Sequence, residues 1–232
     1  MNKSLVIGYC HRGTVHQRFA QSLVNFSIED LQGRRCLRDM TAVDGLYVYE
    51  NRNLIVQTFL EKSTAEWLLF IDTDVGFDAE QVYALLDHAD AEHQIVAGLY
   101  FTWIAVEKLG GAMPGSALTP CWFESVTTPL VPVHTIDMGK LQEVAVCGMG
   151  FTLLGRSALI KIRDLHKEDP AHWFAHDVLA CGPEKQLQRV GEDVTFCVLA
   201  KNAGITTWGL GVVVDHIKTH SENLDTFLQL RK

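Results

Sequence analysis

Five bulky apolar residues, Trp67-Leu68-Leu69-Phe70-Ile71, stop abruptly at Asp72-Thr73-Asp74. A run this short, with no polar alternation, reads as a strand covered on both faces. Such strands belong to parallel sheets flanked by helices, and the rest of the chain supplies the matching pieces. Runs at 5–9, 35–40, 95–101 and 206–214 read as further strands. Between them, Phe19, Leu23, Val24 and Phe26 recur at helical spacing. Leu54, Ile55, Thr58 and Phe59 mark a helix over 51–63 with Asn51 as its cap. Asp78 caps a helix that carries Val82, Leu85 and Leu86. Strand character returns at 144–154, then helices at 157–165 and 192–203, the latter ended by Gly204. This alternation predicts an α/β fold with a largely parallel central sheet.

A length of 232 residues fits one such domain. Residues 105–143 break the rhythm and hold Pro114, Pro120, Pro129 and Pro132, four of the six prolines. Loops and short antiparallel strands are expected there, not a separate domain. The formal net charge of -8 removes the basic footprint that nucleic acid or an anionic membrane would require, so a nucleic-acid partner is not expected. No stretch approaches the roughly 20 apolar residues of a membrane span, and the first apolar run is too short for a signal peptide. None of the six cysteines pairs with another at CxxC spacing. Free cysteines in apolar runs suit a reducing compartment, and a cytoplasmic protein is expected.

Ligands of open α/β sheets bind at the carboxyl ends of the strands, where Asp72 and Asp74 stand. Two neighbouring carboxylates repel unless a cation or donors intervene, and a hard divalent ion bridging them to a diphosphate would resolve this. The alternative is that one aspartate caps the turn and the other is solvated. Asp215-His216 closes the last strand in the same manner, and a neutral imidazole suits manganese as well as zinc. An ordinary surface histidine is the rival there. Glu192 and Asp193 begin a helix, where the dipole favours acidic residues. The alternative is that one of them projects into a cleft as a general base, and position alone does not choose. Arg12 and Arg52 are phosphate contacts or solvated arginines. Gly148-Met149-Gly150 lets backbone approach a ligand, although the chain has neither a GxGxxG nor a Walker A sequence. His172 and His176, beside Trp173 and Phe174, lie in a loop, where contact with a substrate is the alternative to an ordinary loop position.

Taken in order, these pieces resemble the GT-A glycosyltransferases, close to the family-2-like enzymes of bacteriophages and bacteria. The pieces are the first strand with its Arg-containing turn, Arg52-Asn53, the strand ending in Asp72-Thr73-Asp74, and Ile95 to Tyr100. Gly148-Met149-Gly150, Gly191-Glu192-Asp193 and Asp215-His216 complete the set. The resemblance spans residues 4–220. It implies a single GT-A (Rossmann-like) domain over 1–232, with a mostly parallel central sheet and a small antiparallel or loop region. Residues 1–104 would form the nucleotide-binding half and 105–232 the acceptor-binding half.

The activity implied is transfer of a sugar from a nucleotide-sugar, a UDP-sugar, to a hydroxyl of a glycan or protein acceptor, with inversion and with Mn2+ (or Mg2+) as cofactor. The resemblance gives Tyr9, Arg12, Arg52, Asn53, Asp72, Thr73 and Gly150 to the donor. It gives Asp74 and His216, with Asp72, to the metal. Asp193 would be the general base and Glu192 an acceptor-side contact. At 101–103 the chain reads Phe101-Thr102-Trp103 where the family often carries a basic residue. The acceptor side is expected in 105–143 and 166–185, with Trp103, Trp122, Trp173 and Phe174 offering faces to sugar rings; the alternative is that these aromatics pack beneath the long loops. Two rival classes are a sugar nucleotidyltransferase and a non-catalytic nucleotide-sugar-binding module. The first would carry a Gly-rich basic loop, whereas Cys10-His11-Arg12-Gly13 has one arginine and one glycine. Intact Asp72, Asp74, Asp193 and His216 argue against the second.

Overall fold

The computed structural model describes residues 3–106, 115–126, 130–165, 172–181 and 186–217. In chain order the first elements are β1 (Leu5–His11), α1 (Gln17–Gln32), β2 (Leu37–Asp44), α2 (Val48–Lys62), β3 (Trp67–Ile71), β4 (Val75–Gly76), α3 (Ala79–His88) and β5 (Ile95–Leu99). Next come β6 (Phe101–Val106), β7 (Gly115–Pro120), β8 (Trp122–Phe123), β9 (Leu141–Val144), β10 (Val146–Cys147), β11 (Phe151–Gly155) and α4 (Arg156–Leu165). The last are β12 (Asp177–Cys181), β13 (Gln186–Val190), α5 (Glu192–Asn202), β14 (Thr207–Val213) and β15 (Asp215–His216).

Seven strands form the central sheet in the order β2-β1-β3-β11-β5-β14-β9. β1 is parallel to β2 and β3, and β14 is parallel to β5. β11 enters between β3 and β5 and runs against both, and β9 runs against β14 at the edge. The α/β fold with a mostly parallel sheet is therefore present, and β11 interleaves the later part of the chain with the earlier part. The region after β5 holds an antiparallel β6–β7 hairpin and the small β8–β10 pair. Residues 107–114 and 127–129 lie outside the described residues, as do 166–171 and 182–185.

All five residues of β3 are buried, with Leu68 and Leu69 at 0% exposure. Each such side chain contributes roughly 1.5–3 kcal/mol of hydrophobic stabilisation. Layers of helix cover both faces, as a continuous apolar strand requires. Trp122, Trp173 and Phe174, expected to face an acceptor, are buried instead. Trp122 donates through Nε1 to the Gly98 carbonyl, Trp173 to that of Leu159, and Phe174 stacks on Phe196 at 4.7 Å. The side chain of Trp103 lies outside the described residues.

Three boundaries differ from the sequence reading. β2 starts at Leu37 because Arg35 adopts φ 54° and Asp30 accepts from the backbone N–H groups of Cys36 and Leu37. α2 starts at Val48, so Asn51 is not its cap; Asn51 sits inside the helix and donates to the Gly45 carbonyl. The run at 95–101 divides at Tyr100, where the chain leaves the sheet to form β6. Among the described residues no helix is long and apolar enough to cross a membrane. Cys10, Cys36, Cys121, Cys147 and Cys197 are free thiols.

Candidate active site

The carboxyl ends of β1, β2 and β3 meet the start of α5 around one cleft of about 420 Å³. Arg12, Arg52, Asp72, Thr73, Asp74, Glu192 and Asp193 all line it. A larger hollow of about 580 Å³ lies among Glu124, Glu143 and Lys201, all exposed surface residues. The smaller cleft is the candidate because it holds three carboxylates gathered around one buried arginine.

Arg52 is the centre of that cluster. Its side chain is 4% exposed. Nη1 donates to Asp193 Oδ1 at 2.6 Å and to Glu192 Oε1 at 3.1 Å, while Nη2 donates to Asp72 Oδ1 at 3.0 Å. Burial alone would disfavour its charge, but Asp193, Asp72 and Glu192 outweigh that and hold the guanidinium firmly protonated. Three carboxylates around one cation leave a local excess of negative charge. Asp193 carries the consequence: burial, then Glu192 and Asp72, push its carboxyl up to about 6 against the opposing pull of Arg52.

The turn after β3 is fixed by backbone bonds. Asp72 N donates to the Gly150 carbonyl at 2.9 Å, and Val75 N donates to the Asp72 carbonyl at 3.0 Å. Gly150 backs the site: a Cβ there would stand 3.0 Å from Asp72 Oδ2 and from the Tyr100 ring. Thr73 accepts through its carbonyl from His16 N at 2.9 Å.

β15 pairs with β4 and so carries His216 to Asp74, with Nε2 3.3 Å from Oδ2. His216 Nδ1 lies 2.9 Å from the Phe101 carbonyl, which can only accept. Nδ1 is therefore the donor, and in a neutral ring the Nε2 lone pair then faces a carboxylate. Two acceptors at that distance need a proton or a cation between them, and a protonated imidazole and a bound divalent ion both meet that need. Asp72 turns Oδ1 to Arg52 at 3.0 Å. Among the described residues, no group of three or more His, Cys, Asp or Glu side chains is gathered for a metal.

Other expected donor contacts are placed differently. Asn53 is spent on the loop at 172–176: Oδ1 accepts from Trp173 N at 3.1 Å and Phe174 N at 2.8 Å, and Nδ2 donates to the Phe174 carbonyl at 2.8 Å. The Tyr9 ring packs edge-on against Phe19 at 5.1 Å. Arg12 is exposed on the rim and donates to the Leu46 carbonyl at 2.9 Å. The sequence reading did not single out Tyr47 and Tyr49, which stand beside the cleft with His176. Their only signal was two aromatics just ahead of Arg52.

No protein-family model matches the chain, and no curated protein sequence matches it. Solved structures do. The backbone is similar to A197 from STIV, with a TM-score of 0.53 at 18% identity over 93% of this chain and 86% of that one. It is similar also to GalNAc-T7, solved with UDP, GalNAc and Mn2+, with a TM-score of 0.54 at 7% identity over 94% of this chain. The chain has the GT-A fold. This GT-A chain matches 44% of the length of GalNAc-T7. Identities this low establish the fold and leave the activity to be argued from the site.

Proposed function

We propose that this protein is a metal-dependent glycosyltransferase that moves a sugar from a nucleotide-sugar, a UDP-sugar, to a hydroxyl of a glycan or protein acceptor with inversion. The observation that carries the reading is the Arg52 cluster: Asp193, bonded to Arg52 with a carboxyl raised to about 6, lines the same cleft as Asp74, the partner of His216. The UDP, GalNAc and Mn2+ bound by GalNAc-T7 support the choice of donor and cofactor.

Asp193 accepts the acceptor hydroxyl's proton as the oxygen bonds to the anomeric carbon and the bond to the diphosphate breaks. A carboxylate near 6 is a better base than an ordinary one and is still ionised at neutral pH. Arg52 fixes the orientation of Asp193 through Oδ1 and ties it to Asp72 on the donor side. Arg12, Thr73 and Asp72 line the donor's share of the cleft. Asp74 and His216 would hold Mn2+ or Mg2+, which when bound neutralises the leaving diphosphate. Asn53 acts indirectly, by holding the loop that follows α4. Nucleotidyl transfer is the weaker reading, since the turn after β1 carries one arginine and that arginine is bonded to Leu46.

A thermal-shift panel of nucleotides and nucleotide-sugars with Mn2+ tests the donor. Ligands that bind only the folded state raise Tm. UDP and one UDP-sugar should give the largest shifts. Shifts confined to nucleoside triphosphates would favour nucleotidyl transfer.

A further inference from the structure

One side of α2 faces the cleft. Tyr49, Arg52 and Asn53 stand at i, i+3 and i+4 and project from the same side of the helix. Arg52 holds the carboxylates, and Asn53 pins the backbone at 173–174. That segment is pinned twice more, by Trp173 Nε1 on the Leu159 carbonyl and by the Phe174–Phe196 stack. His176, two residues later, is thereby presented at a fixed place. Its Nε2 lies 3.5 Å from Glu192 Oε2, and its ring meets Tyr49 edge-on at 5.3 Å. Tyr49 lies 5.8 Å from Tyr47. Val48, between the two tyrosines, lines the cleft.

Three rings thus follow one another next to the cleft, with His176 against Glu192, which lines it. Tyr49, in the middle, is half-buried against the core, while the outer two are open: the His176 side chain is 61% exposed and Tyr47 is 51% exposed. The tryptophans nearby show what this fold does with aromatics that serve packing, for Trp122 and Trp173 are buried. Two tyrosine rings beside one imidazole and one carboxylate, His176 and Glu192, match a saccharide ring, whose C–H face stacks on aromatics while its hydroxyls bond to the polar groups. This aromatic wall meets Glu192, next in the chain to Asp193. The hydroxyl that Asp193 deprotonates must lie within hydrogen-bond reach of it.

We propose that Tyr47, Tyr49 and His176, with Glu192, form the acceptor subsite and that the acceptor is a saccharide. The inference rests on the glycosyl-transfer reading for its role and on the aromatic wall for its ligand. Saturation-transfer NMR with a panel of methyl hexopyranosides tests it on wild type, Tyr47→Ala, Tyr49→Ala and Tyr49→Phe, with melting curves to show that each variant folds. At least one glycoside should bind through one ring face, and each alanine variant should weaken it about tenfold, with Tyr49→Phe far milder. In turnover with that glycoside, acceptor KM should rise by the same factor while donor KM moves less than twofold. Unchanged binding in the alanine variants, no binding of any glycoside to wild type, or a rise in donor KM instead would each overturn the proposal; the last would make the wall a platform for the nucleotide base. Saccharide binding on this wall without turnover of any nucleotide-sugar would uphold the subsite and sink the glycosyl-transfer reading.

Discussion

Arg52 donates to Asp193 across 2.6 Å although the two stand 141 residues apart in the chain. The same guanidinium holds Asp72, so one buried cation joins the turn after β3 to the first residues of α5. It gives the cleft a fixed geometry, and its pull on Asp193 is outweighed by burial and by Glu192 and Asp72, which leave that carboxyl harder to ionise than an ordinary aspartate.

Replacing Arg52 by Met keeps the bulk and strands three carboxylates. Removing one partner of a buried pair costs about 3–5 kcal/mol, and the low end is expected because Asp72 and Asp193 keep 38% and 31% side-chain exposure. Urea melts should show the deficit in full near pH 8 and shrink it near pH 5, where the carboxylates can take up protons. A deficit independent of pH would mean that lost packing, not charge, is responsible.

Asp193 separates function from stability. A raised carboxyl opposes folding once ionised: the stability it contributes is present below about pH 4, the unfolded range, and is lost as pH rises through about 6. Asp193→Asn should therefore melt no lower than wild type at pH 8. Its kcat should fall about 10²–10⁴-fold, as for loss of a general base, with nucleotide binding retained. The wild-type rate should rise with pH through about 6. A variant that unfolds would assign Asp193 to helix capping.

Asp74 and His216 predict dependence on a divalent ion. Exhaustive chelation should abolish turnover, and manganese should restore it better than calcium, which prefers oxygen ligands. His216→Ala should weaken manganese binding in calorimetry without lowering affinity for free nucleoside. Full activity after chelation contradicts the metal assignment.

Asp30 anchors α1 to β2 at a distance from the cleft. Burial would raise its carboxyl, but the Cys36 thiol, the Leu37 and Cys36 N–H groups and the Tyr83 hydroxyl together hold it below the usual range. That stability is present above about pH 4 and is lost as pH falls through the folded value. Asp30→Ala should cost about 1.5–3 kcal/mol at pH 7, with a smaller difference near pH 3, measured by denaturant titration.

The sequence made the strands and their ends legible because each is a local pattern. β3 falls at 67–71 as read, and Asp72, Asp74 and Asp193 all reach one cleft. What stayed hidden depends on distant partners. Burying Arg52 requires carboxylates 20, 140 and 141 residues away, which no spacing rule supplies. β11 runs antiparallel between β3 and β5, and its five buried residues look the same in either direction. The start of α2 was misplaced because Tyr47 brings no capping side chain, while Asn51 looks like a cap. Trp122 and Trp173, in Pro- and Gly-rich segments, suit either an acceptor face or packing beneath a loop, and the choice depends on the buried carbonyl that each indole N–H finds.

The central claim is that Asp193 deprotonates an acceptor in an inverting sugar transfer. Proton NMR of the anomeric signal during turnover of a UDP-sugar panel with Mn2+, in wild type and Asp193→Asn, tests it most directly. The account predicts consumption of one UDP-sugar with a product of opposite anomeric configuration, slowed at least about 100-fold in the variant. A product that keeps the donor's configuration, or a variant as fast as wild type, would contradict it.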